Sequence, residues 1–384
     1  MAGLYLHVPY CRQACHYCDF HFSTQLGTQA AMVNAMEREL AHRWPEPLPM
    51  NTWYWGGGTP SILPVPLVRH LADHLRRHAP LVGSGEFTLE ANPEDVSPQN
   101  LRVWKEVGVN RLSIGIQSFV DQRLAWMNRA HTGQQARDAV KRAQDAGFEN
   151  ITVDLIYGLP ETHLGEWQDN VGQALDMGLP HMSMYALTVE EKTALHHQIK
   201  KGQSAAPKDE RATEDFLWVR QILRQNGWEP YELSNAAMPG MRAQHNSAYW
   251  SGEAYMGIGP GAHSFDGTSE RRWNVSHNLR YIRAWQDPQV KNNQDEAHEK
   301  EHVTAIERTN ERIMTSLRRM EGLSRTDMGA YSAELDKRWL EFVQKGWMQS
   351  TDDGWVLSDE GLLWLDTIAS QGFAAAEDLG NFVS

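Results

Sequence analysis

The sequence predicts an α/β protein: an open (β/α)6 partial TIM barrel followed by a small, mostly helical, winged-helix-like C-terminal domain. Three observations predict it. Apolar, β-rich runs alternate with helix-like stretches, which is the pattern of βαβ units and a parallel sheet. No GxGxxG turn follows the first strand, so a barrel is favoured over a dinucleotide-binding sheet. Six such units are too few for a closed eight-fold barrel, and the pattern changes to helix, helix and hairpin after Thr304.

Taken in order, the strands are expected at Leu4–Val8, Trp53–Trp55, Phe87–Glu90, Arg111–Ile116, Ile151–Tyr157 and Met182–Leu187. Helices are expected at Gln29–Arg43, Leu63–Arg77, Pro98–Val107, Gly133–Ala146, Gly165–Met177 and Asp209–Asn226. Ser97-Pro98 is a helix-start signal, and Gly108, Gly147 and Gly178 are helix stops. From Trp228 to Asp266 the chain is rich in Gly, Ser, Asn and aromatic residues, and reads as loops and short strands closing or covering the barrel. Gln286–Glu301 is polar and charged, and reads as an exposed linker. Trp347–Leu357 reads as a hairpin turning at Asp352-Asp353-Gly354, which gives the last domain its wing. The expected domains are a barrel over 1–235, a barrel-closing segment and linker over 236–300, and the winged-helix-like domain over 301–384.

The formal net charge of −13 argues against a nucleic-acid surface, which needs a basic footprint. The opening MAGLYLHVPYC has no basic segment leading into a long apolar run, so no signal peptide is expected. Nor is there a stretch near the roughly 18 apolar residues that span a bilayer. A cytoplasmic location is the expectation.

The chain has only three cysteines, and all fall within CRQACHYC, at Cys11, Cys15 and Cys18. An odd, clustered trio is a poor disulfide framework. The loop follows the first strand, at the barrel face where sites are built. Three thiolates on a tight loop suit a soft metal centre, either iron–sulfur or zinc. A structural zinc wants four ligands, and His16 or His21 offers the fourth. A Cys15–Cys18 redox pair and three inert thiols are the remaining readings. A [4Fe–4S] cube held by three thiolates keeps one iron open to an outside ligand.

CRQACHYC resembles the C-x3-C-x2-C signature of the radical S-adenosylmethionine (SAM) superfamily. That resemblance implies a [4Fe–4S] cluster on Cys11, Cys15 and Cys18, with SAM at the open iron. The glycine-rich run Trp55-Gly56-Gly57-Gly58-Thr59-Pro60 resembles the element that meets the methionyl amine; glycine lets a ligand approach the backbone closely. By the same resemblance Tyr5, Tyr17, Gly58, Thr59, Glu90, Gln117, Arg129 and Asp154 contact SAM. A bulky residue at Gly58 is then expected to weaken SAM binding and spare the cluster.

LYLHVPYC, YWGGGTPS, LEANPE, RLSIGIQSF, DLIYGLP and HNSAYW together resemble the oxygen-independent coproporphyrinogen III oxidase family, and most closely its haem-chaperone branch, HemW. The oxidases continue the motif as C-x2-C-x-C, whereas this chain reads Cys18-Asp19-Phe20. Only ten residues precede Cys11, where the oxidases carry an extra segment. HNSAYW resembles the chaperone branch's H-N-x-x-Y-W motif. It makes His245, taken as an exposed imidazole beside two aromatics, the expected haem ligand, with His263 as a competitor.

The resemblance therefore implies a protein that binds haem as cargo and delivers it to acceptor proteins. The alternative is an oxidase that decarboxylates coproporphyrinogen III, and a third option is a radical enzyme on another substrate. Implied partners are haem, a haem-accepting protein that the sequence does not name, and a reductant or electron-transfer protein. A peripheral membrane contact and a homodimer are both compatible with the sequence.

Overall fold

A computed structural model describes residues 3–286 and 297–375. Six parallel strands stand side by side in chain order: β1 (Gly3–Val8), β2 (Met50–Gly57), β3 (Leu81–Ala91), β4 (Arg111–Gln117), β5 (Asn150–Tyr157) and β6 (His181–Ala186). Period-two alternation gives the sheet its two faces. Register sets Leu4 beside Trp53 and Trp53 beside Phe87 on the buried apolar face. Tyr5 stands beside Tyr54, Glu90 beside Ser113 and Asp154 beside Ser183 on the other, polar face. The helices cover the apolar face, and the polar face lines the barrel interior.

Local chemistry places helices close to where the sequence predicts them, and adds a short one over Asp121–Trp126 that was not expected. Helix α1 spans Gln29–Arg43, α2 Val65–His78, α3 Pro98–Glu106, α4 Asp121–Trp126, α5 Gly133–Asp145 and α6 Leu164–Asp176. Ser97 caps α3 by accepting from Asn100 N, and Thr132 forms a reciprocal capping box with Gln135 on α5. Gly108, Gly147 and Gly178 each follow a helix with φ of 88°, 79° and 66°, the left-handed turn that ends it. α7 (Ala194–Lys200) and α8 (Asp209–Gln225) follow β6.

The segment expected to close the barrel instead widens its sheet at both edges. β7 (Asn235–Ala237) adds antiparallel to β6. After α9 (Gln244–Trp250), β8 (Tyr255–Ile258) adds parallel to β1, and β9 (His263–Phe265), β10 (Glu270–Asn274) and β11 (His298–His302) extend that edge antiparallel. The linker expected over 286–301 lies mostly outside the described residues, and its last part belongs to β11. The buried carboxylate of Glu39 on α1 ties this extension down. It accepts from Arg43, Asn274, Tyr281 and the Gly259 amide. Tyr281 lies on α10 (Asn278–Ala284).

The C-terminal part has the helix–strand–helix–helix–hairpin order of a winged helix. A helix at Ala305–Ser316 leads to β12 (Leu323–Ser324) and to helices at Arg325–Met328 and Ser332–Gln344. β13 (Met348–Ser350) and β14 (Gly354–Leu357) complete a three-stranded sheet ordered β12-β14-β13. Trp339 and Trp355 meet edge to face in its core, 5.3 Å apart. Asp359 docks this part on α8 by accepting from buried Arg220 at 2.6 Å and from Arg224. Among the described residues no helix is long and apolar enough to cross a membrane.

Candidate functional site

The cysteine loop leaves β1 at the C-terminal end of the barrel. Its backbone is pinned from outside. Gln13 donates to the carbonyl and side chain of Asn128, and Asn128 donates back to Ala14 O at 2.7 Å. The His16 amide bonds Met127 O, and its ring Nδ1 meets Trp126 O at 2.8 Å. Arg12 pairs with buried Asp95, which also accepts from Ser61. Asn128 holds φ of 59°, a left-handed conformation that costs little for asparagine.

With the backbone fixed, the three half-buried thiols stay free of disulfides. Two of them end a continuous chain of hydrogen bonds. Thr59 Oγ1 donates to Cys11 Sγ at 3.4 Å, and Asn92 Nδ2 donates to Thr59 Oγ1 at 3.1 Å. Arg129 Nη2 donates to Asn92 Oδ1 at 2.6 Å, while its Nη1 reaches Cys15 Sγ at 3.4 Å. The ends of β2 and β3 and the loop after α4 thus present one donor to each of two sulfurs. Such donors favour thiolate over thiol.

Burial works the other way, and pushes the Cys11 thiol up to about 11 and the Cys18 thiol up to about 12. A redox CxxC pair works best with depressed values, and the raised Cys18 thiol does not favour it. The zinc alternative also weakens. His16 is bonded to Trp126 O, and His21 Nε2 meets Asn278 Oδ1 at 2.8 Å. Among the described residues no three His, Cys, Asp or Glu side chains form a group for a single ion.

The residues expected at SAM fall into two groups. Thr59, Arg129 and Tyr17 adjoin the thiols; Tyr17 hydrogen-bonds to Cys15 and packs against the small apolar cluster that includes Leu124 and Met127. Gln117 ends β4 with φ of 69°. Its side chain, with those of Arg129 and Asn92, lies over Gly115, where an added Cβ would meet them at 3.0, 3.5 and 3.6 Å. Arg129 Nε is buried with no hydrogen-bond partner among the described residues. Glu90, Asp154 and Tyr5 form the second group, deeper on the polar face. Glu90 accepts from Tyr54 at 2.7 Å, and Asp154 from Ser113. Burial raises Glu90 to about 7 and Asp154 to about 6. Tyr5 stacks on Tyr54 and meets His7 Nδ1 at 3.1 Å.

Gly58 does something other than expected. A Cβ there would lie 2.7 Å from Tyr10 N and O and 2.9 Å from Val8 O. Those are backbone atoms leading directly into Cys11. A side chain at 58 is therefore expected to press on the backbone of the cysteine loop as well as on any ligand there.

The second correction concerns His245. The imidazole is not exposed. It lies on α9 at 1% exposure, stacked on Tyr54 at 5.1 Å. Nδ1 meets Thr52 Oγ1 at 2.7 Å, and Nε2 meets Tyr249 OH at 3.0 Å. Burial, with the Arg111 charge nearby, lowers its pKa to about 3, so the ring is neutral. Both nitrogens are engaged. His263 stands exposed on β9, stacked on Trp273.

A cleft of about 1990 Å³ opens between the barrel mouth and the C-terminal part. The cysteine loop lends it Phe20 and His21, α9 lends Tyr249 and Trp250, and β9 lends His263. Drug-sized pockets run to roughly 1,000 Å³, so this cleft admits a large ligand. Sequence reasoning missed Asn92, Asn128 and Asp95. Asn92 and Asp95 lie in or beside the LEANPE run, but their partners come from remote segments.

Comparisons with known proteins agree with this geometry. Residues 5–171 match the sequence model of the radical SAM superfamily. The heme chaperone HemW of Bacillus subtilis (strain 168) is 36% identical over 330 residues, covering 85% of each chain. That of Escherichia coli (strain K12) is 31% identical over 380 residues, covering 95% of this chain and 96% of the relative. Among solved structures, the radical SAM enzyme coproporphyrinogen III oxidase (HemN) of Escherichia coli superposes with a TM-score of 0.83. It covers 97% of this chain and 90% of its own at 21% identity, which speaks for the fold. Superfamily membership implies a [4Fe–4S] cluster and SAM. With its cysteine loop, its barrel and relatives matched over most of their length, the chain belongs to the HemW family of radical SAM proteins.

Proposed function

We propose that this protein is a haem chaperone, which takes up haem in the cleft at the barrel mouth and passes it to an acceptor protein. The observation that carries the reading is convergence. The loop bearing Phe20, where the oxidases have a further cysteine, and the helix bearing HNSAYW border one cleft. The two markers are more than 200 residues apart in sequence. The names of the HemW relatives point the same way. The oxidase alternative shares the fold at 21% identity and lacks that support.

In this reading Cys11, Cys15 and Cys18 hold the cluster. Tyr5, Tyr17, Gly58, Thr59, Glu90, Gln117, Arg129 and Asp154 surround SAM. Bound together, cluster and SAM supply reductive cleavage of a carbon–sulfur bond. Thr59 and Arg129 steady the thiolates, and the orphaned Nε of Arg129 suits a carboxylate ligand. Glu90 and Asp154 offer acceptors to an amine or to ribose hydroxyls. His245 remains the proposed iron ligand of haem, on the condition that Tyr249 turns away from Nε2. A reductant for the cluster and the haem acceptor complete the proposed partners.

The test is a haem titration of anaerobically reconstituted protein, followed by its Soret band. Saturable uptake is expected. No uptake by either cluster-free or cluster-loaded protein sinks the reading. Conversion of coproporphyrinogen III to protoporphyrinogen in the presence of reductant and SAM would restore the oxidase alternative.

A further inference from the structure

The haem reading leaves open how the cleft recognises its cargo, and the wall opposite the cysteine loop bears on this. That wall is the helix Ala305–Ser316 and the turn after it. Arg308 and Arg312 are four residues apart on the helix, which keeps them on one face; Arg319 lies in the turn after it, and all three line the cleft. Acidic residues on the same wall are already paired. Glu311 is held by Arg271 at 2.9 Å, and Glu321 by Arg319 at 3.3 Å. Arg312 meets Asp327 at 3.1 Å with both side chains about two-fifths exposed; such a pair is worth little and exchanges readily. Arg308 is exposed and makes no ion pair among the described residues. Arg308 and Arg312 lie one helical turn apart, about 5.4 Å along the axis.

Elsewhere the cleft lining is mixed, and it presents exposed aromatic rings. Phe20 is 69% exposed and Tyr185 44% exposed, and both line it. Exposed aromatic faces lining the same cleft as two arginines on one helix face fit a flat, apolar ligand that carries carboxylates along one edge. Haem has that chemistry: an apolar macrocycle and two propionates on one side.

We propose that Arg308 and Arg312 of the C-terminal domain receive the two propionates of the cargo, while Phe20 and Tyr185 cover its macrocycle. This rests on the haem reading and assigns the C-terminal domain a share in cargo recognition. Release to an acceptor can then begin with the exchange of ion pairs at the cleft wall.

The test uses the full chain with its cluster reconstituted, titrated with haem and with haem dimethyl ester, whose propionates carry no charge. Wild type is expected to bind haem at least about tenfold tighter than the ester, the equivalent of one charge-assisted hydrogen bond. The R308A/R312A double variant is expected to lose that preference while binding the ester as wild type does. Phe20→Ser is expected to weaken both ligands alike. Arg308 is exposed and Arg312 half-buried on the helix, so cluster iron content and circular dichroism serve as folding controls. Equal binding of haem and ester by wild type, or undiminished preference in the double variant, overturns the proposal and leaves the haem reading standing. Uptake of neither ligand by wild type overturns both.

Discussion

The cysteine loop and the HNSAYW helix border the same cleft, yet they hold their motif residues in opposite ways. The loop is fixed through its backbone and through residues between the cysteines, by Asn128, Asp95 and the 126–127 carbonyls. Its sulfur atoms are left for a ligand, with donors from Thr59 on Cys11 and from Arg129 and Tyr17 on Cys15. His245 is fixed through the two atoms that could bind metal. A motif residue held from behind is ready for its ligand. One held through its own ligating atoms serves the fold until something releases it.

The largest test of that contrast is Cys11→Ser, Cys15→Ser or Cys18→Ser. Each is expected to abolish stable cluster iron, measured by iron assay and visible absorbance after reconstitution. His245→Ala is expected to leave iron at the wild-type level. Full brown chromophore in any cysteine variant removes that residue from the ligand set.

Next in size is Gly58→Ala. A Cβ 2.7 Å from the Tyr10 backbone must move the loop or strand β2, and overpacking of this kind costs about 1–3 kcal/mol. Reduced urea stability together with reduced cluster occupancy is expected. Normal cluster and lost SAM binding would return Gly58 to a pure ligand role.

The His245 side is sharpened by comparing two variants. His245→Ala strands Thr52 in the interior and is expected to cost about 1–3 kcal/mol. Tyr249→Phe removes only the bond to Nε2, about 1 kcal/mol, and leaves the imidazole in place. If His245 ligates haem iron, Tyr249→Phe raises haem affinity, because the competent state no longer has to break that bond. Equal haem spectra and affinity in wild type, His245→Ala and Tyr249→Phe would leave His245 a purely structural residue and turn attention to His263.

What was legible in the sequence follows the same division. The six βα units show because strand alternation, caps and glycine stops are local signals, and Ser97, Thr132 and Gly147 act where they stand. The cysteine loop and the glycine run show because their spacing is short. Asn92 and Asn128 did not show, because what they do depends on partners 37 and 114 residues away. The burial of His245 was illegible for a related reason. A histidine beside a tyrosine and a tryptophan reads alike whether its helix faces water or the β2 strand. Strands β10 and β11 were missed because ERRWN and HEKEH lack an apolar face. At a sheet edge, charge of that kind is what keeps other chains from pairing.

The smallest expected effect probes the buried carboxylates that line the barrel next to the cluster loop. Burial, with the nearby Asp154 charge, raises Glu90 from the ordinary 4.5 to about 7, although Tyr54 and the Gly57 amide donate to it. The folded protein therefore keeps a proton at Glu90 that the unfolded chain has lost between about pH 4.5 and 7. Because the native state binds more protons there, this group's contribution to stability is greatest below that window. It falls as pH rises through it and is flat above. His7 and His245, lowered by burial to about 4 and about 3, act in the opposite sense, since the folded state gives up their protons first. Only the difference between variants isolates Glu90. In ligand-free protein, the urea midpoint of Glu90→Gln relative to wild type is expected to be higher at pH 7.5 than at pH 5. A difference independent of pH would mean that Glu90 is ionised in the fold like an ordinary carboxylate. The barrel interior would then hold charge as readily as the cleft mouth does.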